Sequence, residues 1–472
     1  MKFISTRSNA KSLNFEEVVL QGLATDGGLY VPESLPNFSA KQIKDFSKLS
    51  YEELFFEVTK YFVDGEIDDK TYKSIINKSY KKFSHIAIAP TKQLSQNEYL
   101  LELFHGPTLA FKDFALQFLG NLLDYLLTKR NEKIVIVGAT SGDTGSAAIQ
   151  GCMISKNAQI FILHPLDRVS DVQRKQMTTI LEDNVFNIAV KGNFDDCQSM
   201  VKKMFKAESE GDTFLKGKKL VAVNSINFAR IMAQIAYYFY CGSRLGCDEN
   251  NRISFSVPSG NFGDIYAGYL AKKMGLGVEK LIIATNSNNI LDRFVKNNDY
   301  SKEDMIETIT PSMNIQVSSN FERLLFNYHN DYGQGSKMKD LMSSFEKAGS
   351  LQVDTKILME IQKEFLSGSA DDEQTKEAIK YYYKNCEEVL DPHSAVGAYV
   401  AKKYIESDEY NQEPVVTLAT AHPAKFPDAV KEAIGVDPKL PEFLSDLLER
   451  EEKFEVLDND FETVKNFVSK LV

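Results

Sequence analysis

The spacing of hydrophobic residues changes near residue 90. Before that point, Tyr51 to Val63 and Asp68 to Phe83 carry apolar side chains at mixed spacings of three and four, the pattern of amphipathic helices. The turn Asp26-Gly27-Gly28 and the segment Pro32 to Pro36 interrupt the chain ahead of them. Residues 1–90 are therefore expected to form a mainly helical N-terminal domain or cap. Beyond it, short apolar runs alternate with longer helical stretches. Lys133–Val137, Gln159–Leu163, Val185–Val190, Lys219–Val223, Arg252–Val257, Leu281–Ala284 and Val415–Ala419 read as strands. Most are nearly continuous in apolar residues, as strands buried on both faces require. Phe114 to Leu127, Phe228 to Tyr240 and Ile265 to Lys273 read as helices. The alternation predicts an α/β region with mostly parallel strands, helices on both faces and right-handed crossovers. The acidic, helix-forming stretch from Glu442 onward reads as a covering layer.

At 472 residues the chain is too long for one compact core, so two or three domains are expected. Hydrophobic residues at 43% and charged residues at 26% fit a folded globular protein and argue against disorder. No apolar run reaches the length of a membrane span. The opening MKFISTRSNAKSLNF lacks the apolar core of a secretory signal, so a cytoplasmic location is the expectation. The net charge of -11, with Lys and Arg scattered, disfavours nucleic acid as a partner. Cys152, Cys197, Cys241, Cys247 and Cys386 form no CxxC pair and are odd in number. They are expected to be reduced structural thiols. With no HxxxH pair among six histidines, no metal site is expected.

Four segments carry candidate chemistry, and open α/β sheets bind ligands at the carboxyl ends of their strands. After the strand at Lys133–Val137 comes Gly138-Ala-Thr-Ser-Gly-Asp-Thr-Gly-Ser146. Its glycines let N–H groups face an anion at a helix N-terminus. Thr140, Ser141, Asp143 and Thr144 are more polar than a plain strand-to-helix turn needs. It is neither a P-loop nor a GxGxxG fingerprint. Val257-Pro-Ser-Gly-Asn-Phe-Gly-Asp264 is a second such turn, where Ser259, Gly260, Asn261 and Gly263 could ring a phosphate. Two anion-holding turns in one region suggest more than one anionic group to bind. In Leu103-Phe-His-Gly-Pro-Thr-Leu-Ala-Phe-Lys-Asp-Phe114, Lys112 lies in an apolar setting that would lower its pKa and make it a nucleophile. The alternative is a snorkelling lysine paired with Asp113. The last is Leu418-Ala-Thr-Ala-His-Pro-Ala-Lys-Phe426, with Thr420 at a strand end.

HGPTLAFKDFA, ATSGDTGSAA, PSGNFGD and ATAHPAKF, in that order, resemble the threonine synthases, fold type II (β-family) pyridoxal-phosphate enzymes. The opening GLATDGGLYVP resembles that family's N-terminal region, and the likeness runs to about residue 435. The resemblance implies a catalytic region over 91–472, with a cleft between a large domain and a smaller mobile one at about 130–215. It implies that Lys112 bonds the pyridoxal 5'-phosphate. Ser259, Gly260, Asn261, Phe262 and Gly263 would hold the cofactor phosphate, and Asp264 would close that loop. Thr420 would meet the pyridine nitrogen. Asp143 would stand near the cofactor's 3′-oxygen, where many β-family members have Asn. The loop of Thr140, Ser141, Gly142 and Thr144 would take the substrate carboxylate. The implied reaction makes L-threonine and phosphate from O-phospho-L-homoserine and water. Ser318, Asn320, Arg323 and Lys425 are candidates for the substrate phosphate, because Arg and Lys suit a phosphate dianion. His105 and His393 are read as structural.

Three other readings share the scaffold. A serine or threonine dehydratase-like lyase would keep the lysine, but HGPTLAFKDFA and the long N-terminal region point away from it. A phospho-lyase would eliminate phosphate and release a 2-oxo acid. A silent binding protein is disfavoured by the retention of Lys112 and both anion loops. No regulatory domain is evident, which suggests a monomer.

Overall fold

The computed structural model describes residues 1–7, 10–331 and 335–472. The N-terminal region is helical as expected, with Phe15–Gln21, Ala40–Phe46, Tyr51–Val63 and Asp69–Tyr80, joined by a small antiparallel pair, Phe3–Ser5 with Tyr30–Pro32. Ser50 caps Tyr51–Val63 in a reciprocal box with Glu53, and Asp68 caps Asp69–Tyr80, which fixes both starts. The apolar faces of these helices do not close on themselves. Phe55 packs against Phe118 with ring centroids 4.9 Å apart, and the Tyr80 hydroxyl donates to the Phe114 carbonyl at 3.0 Å. The N-terminal region and the helix that follows Lys112 therefore share one core.

The predicted strands fall into two sheets. The larger runs Phe365–Ser369, Val278–Thr285, Ile253–Pro258, Val415–Ala419, Glu98–Glu102, Thr91–Gln93. It is parallel except for its last, edge strand. The smaller runs Glu455–Asp458, Val185–Lys191, Ala158–Pro165, Ile134–Ala139, Lys219–Val221, and is parallel throughout. The C-terminal segment differs from its reading as a helical cover. Its strand Glu455–Asp458 extends the smaller sheet, and the helix Phe461–Leu471 buries Val464 and Val468 in that sheet's own apolar cluster. Pairing covers an edge that would otherwise expose unpaired N–H and C=O groups.

Two helices begin where the carboxyl ends of the sheets converge. Lys112–Arg130 starts with Lys112, and Asp143–Cys152 starts with Asp143. They pack unusually closely. A Cβ at Gly120 would lie 1.9 Å from the Gly151 carbonyl oxygen, and one at Gly151 would lie 2.2 Å from the Leu116 carbonyl oxygen. Only glycine permits that approach, and the approach sets how near the two helix starts can stand.

Candidate active site

Lys112 is buried, and its amine sits 3.4 Å from Asp143 Oδ2 and 5.0 Å from the centre of the Phe111 ring. Burial lowers its pKa; Asp143 pulls the other way, and Lys425 and Arg230 add to the lowering. The alternative pairing with Asp113 is not made. Asp113 instead accepts the Thr108 amide at 2.8 Å and the Thr108 hydroxyl at 2.7 Å, closing the turn before the helix. Burial raises the Asp113 carboxyl to about 6.

Asp143 joins several groups. Its Oδ2 also accepts from Ser312 Oγ at 3.0 Å, and its Oδ1 accepts from Gln173 Nε2 and forms an ion pair with Lys425 Nζ, both at 3.0 Å. Burial opposes its charge, but Lys425 and Lys112 hold its carboxyl well below the usual range. Lys425, fully buried, also donates to the Thr108 carbonyl at 2.6 Å and to Gln176 Oε1 at 2.9 Å. Its three acceptors come from the loop before Lys112 and from two helices of the smaller sheet.

The two anion turns are built differently. Phe262 adopts a left-handed conformation (φ 62°) ahead of the helix Gly263–Lys273, which has no side-chain cap. Among the described residues, the amides of Gly260, Asn261, Phe262, Gly263, Asp264 and Ile265 find no partner elsewhere in the chain. Those amides form a cradle of donors. A Cβ at Gly260 would meet the Ser312 carbonyl oxygen at 2.9 Å. Ser259 Oγ turns back to the Val257 carbonyl at 2.8 Å. In the other turn, Thr140 Oγ1 accepts the Gly142 and Gly145 amides at 2.9 and 2.8 Å, so Thr140 braces the loop. Gly142 has φ 136°, and the Gln173 carboxamide stands 2.4 Å from where a Cβ would be. Ser141 and Thr144 are half-buried, with hydroxyls unbonded among the described residues.

Ser318, Asn320 and Arg323 lie behind the cradle, with donors spent on the chain itself. Ser318 Oγ donates to the Gly260 carbonyl at 2.7 Å and Asn320 Nδ2 to the Asn261 carbonyl at 2.9 Å. Arg323, fully buried, donates to the carbonyls of Tyr30 (3.0 Å) and Ile226 (2.6 Å) and to Asn320 Oδ1. In this structure they buttress the cradle from behind. Thr420 follows the strand Val415–Ala419, and its carbonyl accepts the Phe111 amide at 2.8 Å. His105 bonds Glu102 at 2.7 Å, away from these groups.

The whole chain aligns with proteins of one kind. Residues 2–80 match the family "Threonine synthase N terminus", and 394–468 match "Threonine synthase, C-terminal". Residues 86–362 match "Pyridoxal-phosphate dependent enzyme". The threonine synthase of Pseudomonas aeruginosa is 54% identical over 471 residues, covering 100% of this chain and 98% of that protein. The chain belongs to the threonine synthase family. The threonine synthase of Saccharomyces cerevisiae is 42% identical, covering 99% of this chain and 97% of that one. The crystal structure of pyridoxal-phosphate-bound threonine synthase from Brucella melitensis superposes with a TM-score of 0.94 at 46% identity. It covers 100% of this chain and 99% of its own. The fold is thus the fold type II architecture, and this threonine synthase family member is a pyridoxal-phosphate-dependent enzyme.

The residues fit that cofactor. A buried amine of lowered pKa faces a cradle of unpaired amides, and beside the cradle Asp264 Oδ2 is buried without a partner. The Tyr237 and Tyr238 hydroxyls donate to Asp264 Oδ1 at 2.5 and 2.8 Å. Sequence reasoning missed Arg230, Ser312, Gln173 and Gln176. Arg230 is buried, and among the described residues Nη1 finds an acceptor, the Val223 carbonyl at 3.3 Å, while Nε finds none. Burial lowers its pKa to about 10, so it remains a cation at neutral pH. An arginine beginning an otherwise apolar helix, Phe228–Arg244, was the available signal.

Among the described residues no helix is long and apolar enough to cross a membrane.

Proposed function

We propose that this chain converts O-phospho-L-homoserine and water to L-threonine and phosphate. The observation that carries the reading is one buried amine with two separate anion-holding features. These are the amide cradle at 260–265 and the guanidinium of Arg230, whose Nε has no acceptor among the described residues. A single phosphate needs only one of them. A cofactor phosphate and a phosphorylated substrate need both.

In this reading Gly260 to Gly263 hold the cofactor phosphate, Thr420 meets the ring nitrogen and Asp143 faces the 3′-oxygen side. When bound, pyridoxal phosphate supplies a sink for the electron pairs left when protons leave the substrate's carbons. Lys112 takes the proton from Cα, lends it to the bound cofactor and is then free to take one from Cβ, as an amine of lowered pKa suits. Arg230 binds the substrate phosphate and stabilises its charge as the Cγ–O bond breaks. The free amides of Ser141, Asp143 and Thr144 take the α-carboxylate at the start of the helix Asp143–Cys152. The Cβ proton passes from Lys112 to Cγ, which becomes the methyl carbon; a water then adds its oxygen to Cβ and gives one proton to the released phosphate, and Lys112 returns the first proton to Cα. Thr420 is a neutral side chain and would bring no charge to hold a proton on the ring nitrogen, which would favour elimination and replacement over transamination.

The working unit in this proposal is a monomer. Four buried free thiols and a fifth half-buried one support a reducing, cytoplasmic setting.

The test is to supply O-phospho-L-homoserine and measure phosphate, threonine and 2-oxobutyrate together. Threonine equal to phosphate is expected. Should 2-oxobutyrate match phosphate with threonine absent, the chain is a phospho-lyase and the proposal fails.

A further inference from the structure

Behind the site, one carboxylate reaches both of its walls. Asp391 precedes the helix Pro392–Ile405 and is fully buried. Its Oδ1 accepts the His393 amide at 2.9 Å and lies 3.0 Å from His393 Nδ1. Its Oδ2 accepts the Ser394 amide at 3.2 Å and the Ser394 hydroxyl.

Two arms leave from there. His393 Nε2 accepts the Ser312 amide at 3.2 Å, and Ser312 Oγ donates to Asp143 Oδ2 at 3.0 Å. That oxygen is the one 3.4 Å from Lys112 Nζ. On the other arm, Ser394 Oγ accepts the Thr420 amide at 2.9 Å, and the Thr420 carbonyl accepts the Phe111 amide at 2.8 Å. Phe111 immediately precedes Lys112, so the bonds close a ring through the lysine.

Helix capping explains only part of this. A capping Asp needs to accept first-turn amides, and Asp391 does so. Capping does not require the imidazole to present an acceptor to residue 312, or the Ser394 hydroxyl to present one to residue 420. The bonding fixes the protons. An Nε2 that accepts from an amide is unprotonated, so the neutral ring carries its proton on Nδ1, where Asp391 accepts it. The Ser394 hydroxyl gives its proton to Asp391 and therefore offers a lone pair to Thr420. Phe426 packs against the imidazole, with ring centroids 4.6 Å apart and planes tilted by 56°.

We propose that Asp391 is a positioning residue that, through His393 and Ser394, holds Asp143 and Thr420 in register on either side of Lys112. The inference rests on the proposed reading of Lys112, Asp143 and Thr420 as partners of the cofactor. Asp391 and His393 touch neither substrate nor cofactor in this account. They set where the touching groups stand, and small misplacements at such sites cost rate steeply.

The test uses the holoenzyme and two variants that differ in one acceptor. His393→Phe keeps a ring against Phe426 but offers Ser312 no acceptor. His393→Gln restores an acceptor near the Nε2 position. The readouts are the induced circular dichroism of the bound cofactor, the affinity of the apo-protein for pyridoxal phosphate, and kcat and KM separately. His393→Phe is expected to alter the dichroic band and lower kcat about tenfold to a hundredfold, with KM little changed. His393→Gln is expected to recover the parent band and most of kcat. Ser312→Ala, which keeps the imidazole, guards against a folding artefact. It should reproduce the His393→Phe band, and the double variant should be no worse than either single one. Folded His393→Phe and Ser312→Ala proteins with the parent band and kcat would overturn the inference, as would fully additive losses. Lys112→Ala separates the two levels. If it retains parent turnover, the reading of the site itself is wrong. If it loses turnover while His393→Phe is silent, only the ring inference falls.

Discussion

At Asp264 a single side chain shows how burial and binding are coupled. Burial raises its carboxyl to about 6, and the Tyr237 and Tyr238 hydroxyls only partly offset that. A carboxyl whose folded pKa lies above its unfolded value binds more protons when folded across the interval between them. Stability contributed by its protonated form is therefore present at low pH and is lost as pH rises from about 4 to about 6. The slope is at most about 1.4 kcal/mol per pH unit for one group. Asp264→Asn removes this titration while keeping an acceptor for both tyrosines. In the apo-protein, denaturant melts should show the variant gaining on the parent across that window and holding a constant difference above it. A difference independent of pH would mean that Asp264 ionises normally. Arg230 yields a separate expectation. Arg230→Gln removes a buried cation with no protein counter-charge, so kcat/KM for O-phospho-L-homoserine should fall by tenfold to a hundredfold, equivalent to about 1.5–3 kcal/mol. Cofactor affinity should be nearly unchanged. A loss of cofactor with intact substrate affinity would reassign Arg230 to the cradle.

Helices and strands place these residues through contacts that a linear pattern does not display. The closest is at Gly120 and Gly151, where two helices touch backbone to backbone. Gly151→Ala should push the helix Asp143–Cys152 from the helix Lys112–Arg130, at a cost of about 1–3 kcal/mol. It should also widen the gap between Lys112 and Asp143. Turnover should drop with stability, whereas Gly65→Ala, which strains a turn at φ 76° but whose Cβ meets nothing within 4 Å, should cost stability and leave turnover intact. Equal effects of the two changes would show that the helix contact does not set the site. Gly151 was not legible in the sequence, because a glycine inside a helix says nothing about what approaches it. The seven apolar strands were legible, six of them within two residues of their expected bounds; the one expected at Leu281 begins three residues earlier, at Val278. Glu98–Glu102 and Phe365–Ser369 were not. The first is short and flanked by glutamates, one of which is buried and bonded by the Tyr382 hydroxyl. The second contains Ser-Gly-Ser, which reads as a turn; a Cβ on Gly368 would meet Val400 at 2.7 Å. The glycine turns and Lys112 were legible because their chemistry is local. Ser312, Gln173 and Gln176 were not, because only the fold brings the first two to Asp143 and the third to Lys425.

The whole molecule joins its two sheets near the site mostly by polar ties. Lys425, just beyond the larger sheet, bonds Gln176 and Asp143 from helices of the smaller one. Gln176 Nε2 donates to the Thr108 carbonyl at 3.1 Å, and Ser170 Oγ to the Lys425 carbonyl at 3.2 Å. The C-terminal segment adds a strap. Glu452 pairs with Arg174 and Lys175 at 2.9 and 3.3 Å before the chain enters the smaller sheet. Hydrogen bonds of this kind exchange partners at small net cost, whereas the apolar cores on either side do not. Movement on binding should therefore concentrate where those ties lie, at Ser141–Gly145 and the helix Asp171–Thr178. A substrate carrying a carboxylate at one end and a phosphate at the other would bridge the smaller sheet's loop and Arg230, drawing the two sides together and excluding water from the reacting carbons. Amide exchange with and without a phosphonate analogue of the substrate measures this directly. Saturating analogue should slow exchange in both segments on the order of tenfold, or about 1.4 kcal/mol, and leave the strands of the larger sheet unchanged. Gln176→Ala should speed exchange in Asp171–Thr178 without ligand and still allow slowing with it. Exchange that slows uniformly over the chain would indicate general stabilisation by binding. Exchange unchanged at Ser141–Gly145 and Asp171–Thr178 would show that the cleft does not close.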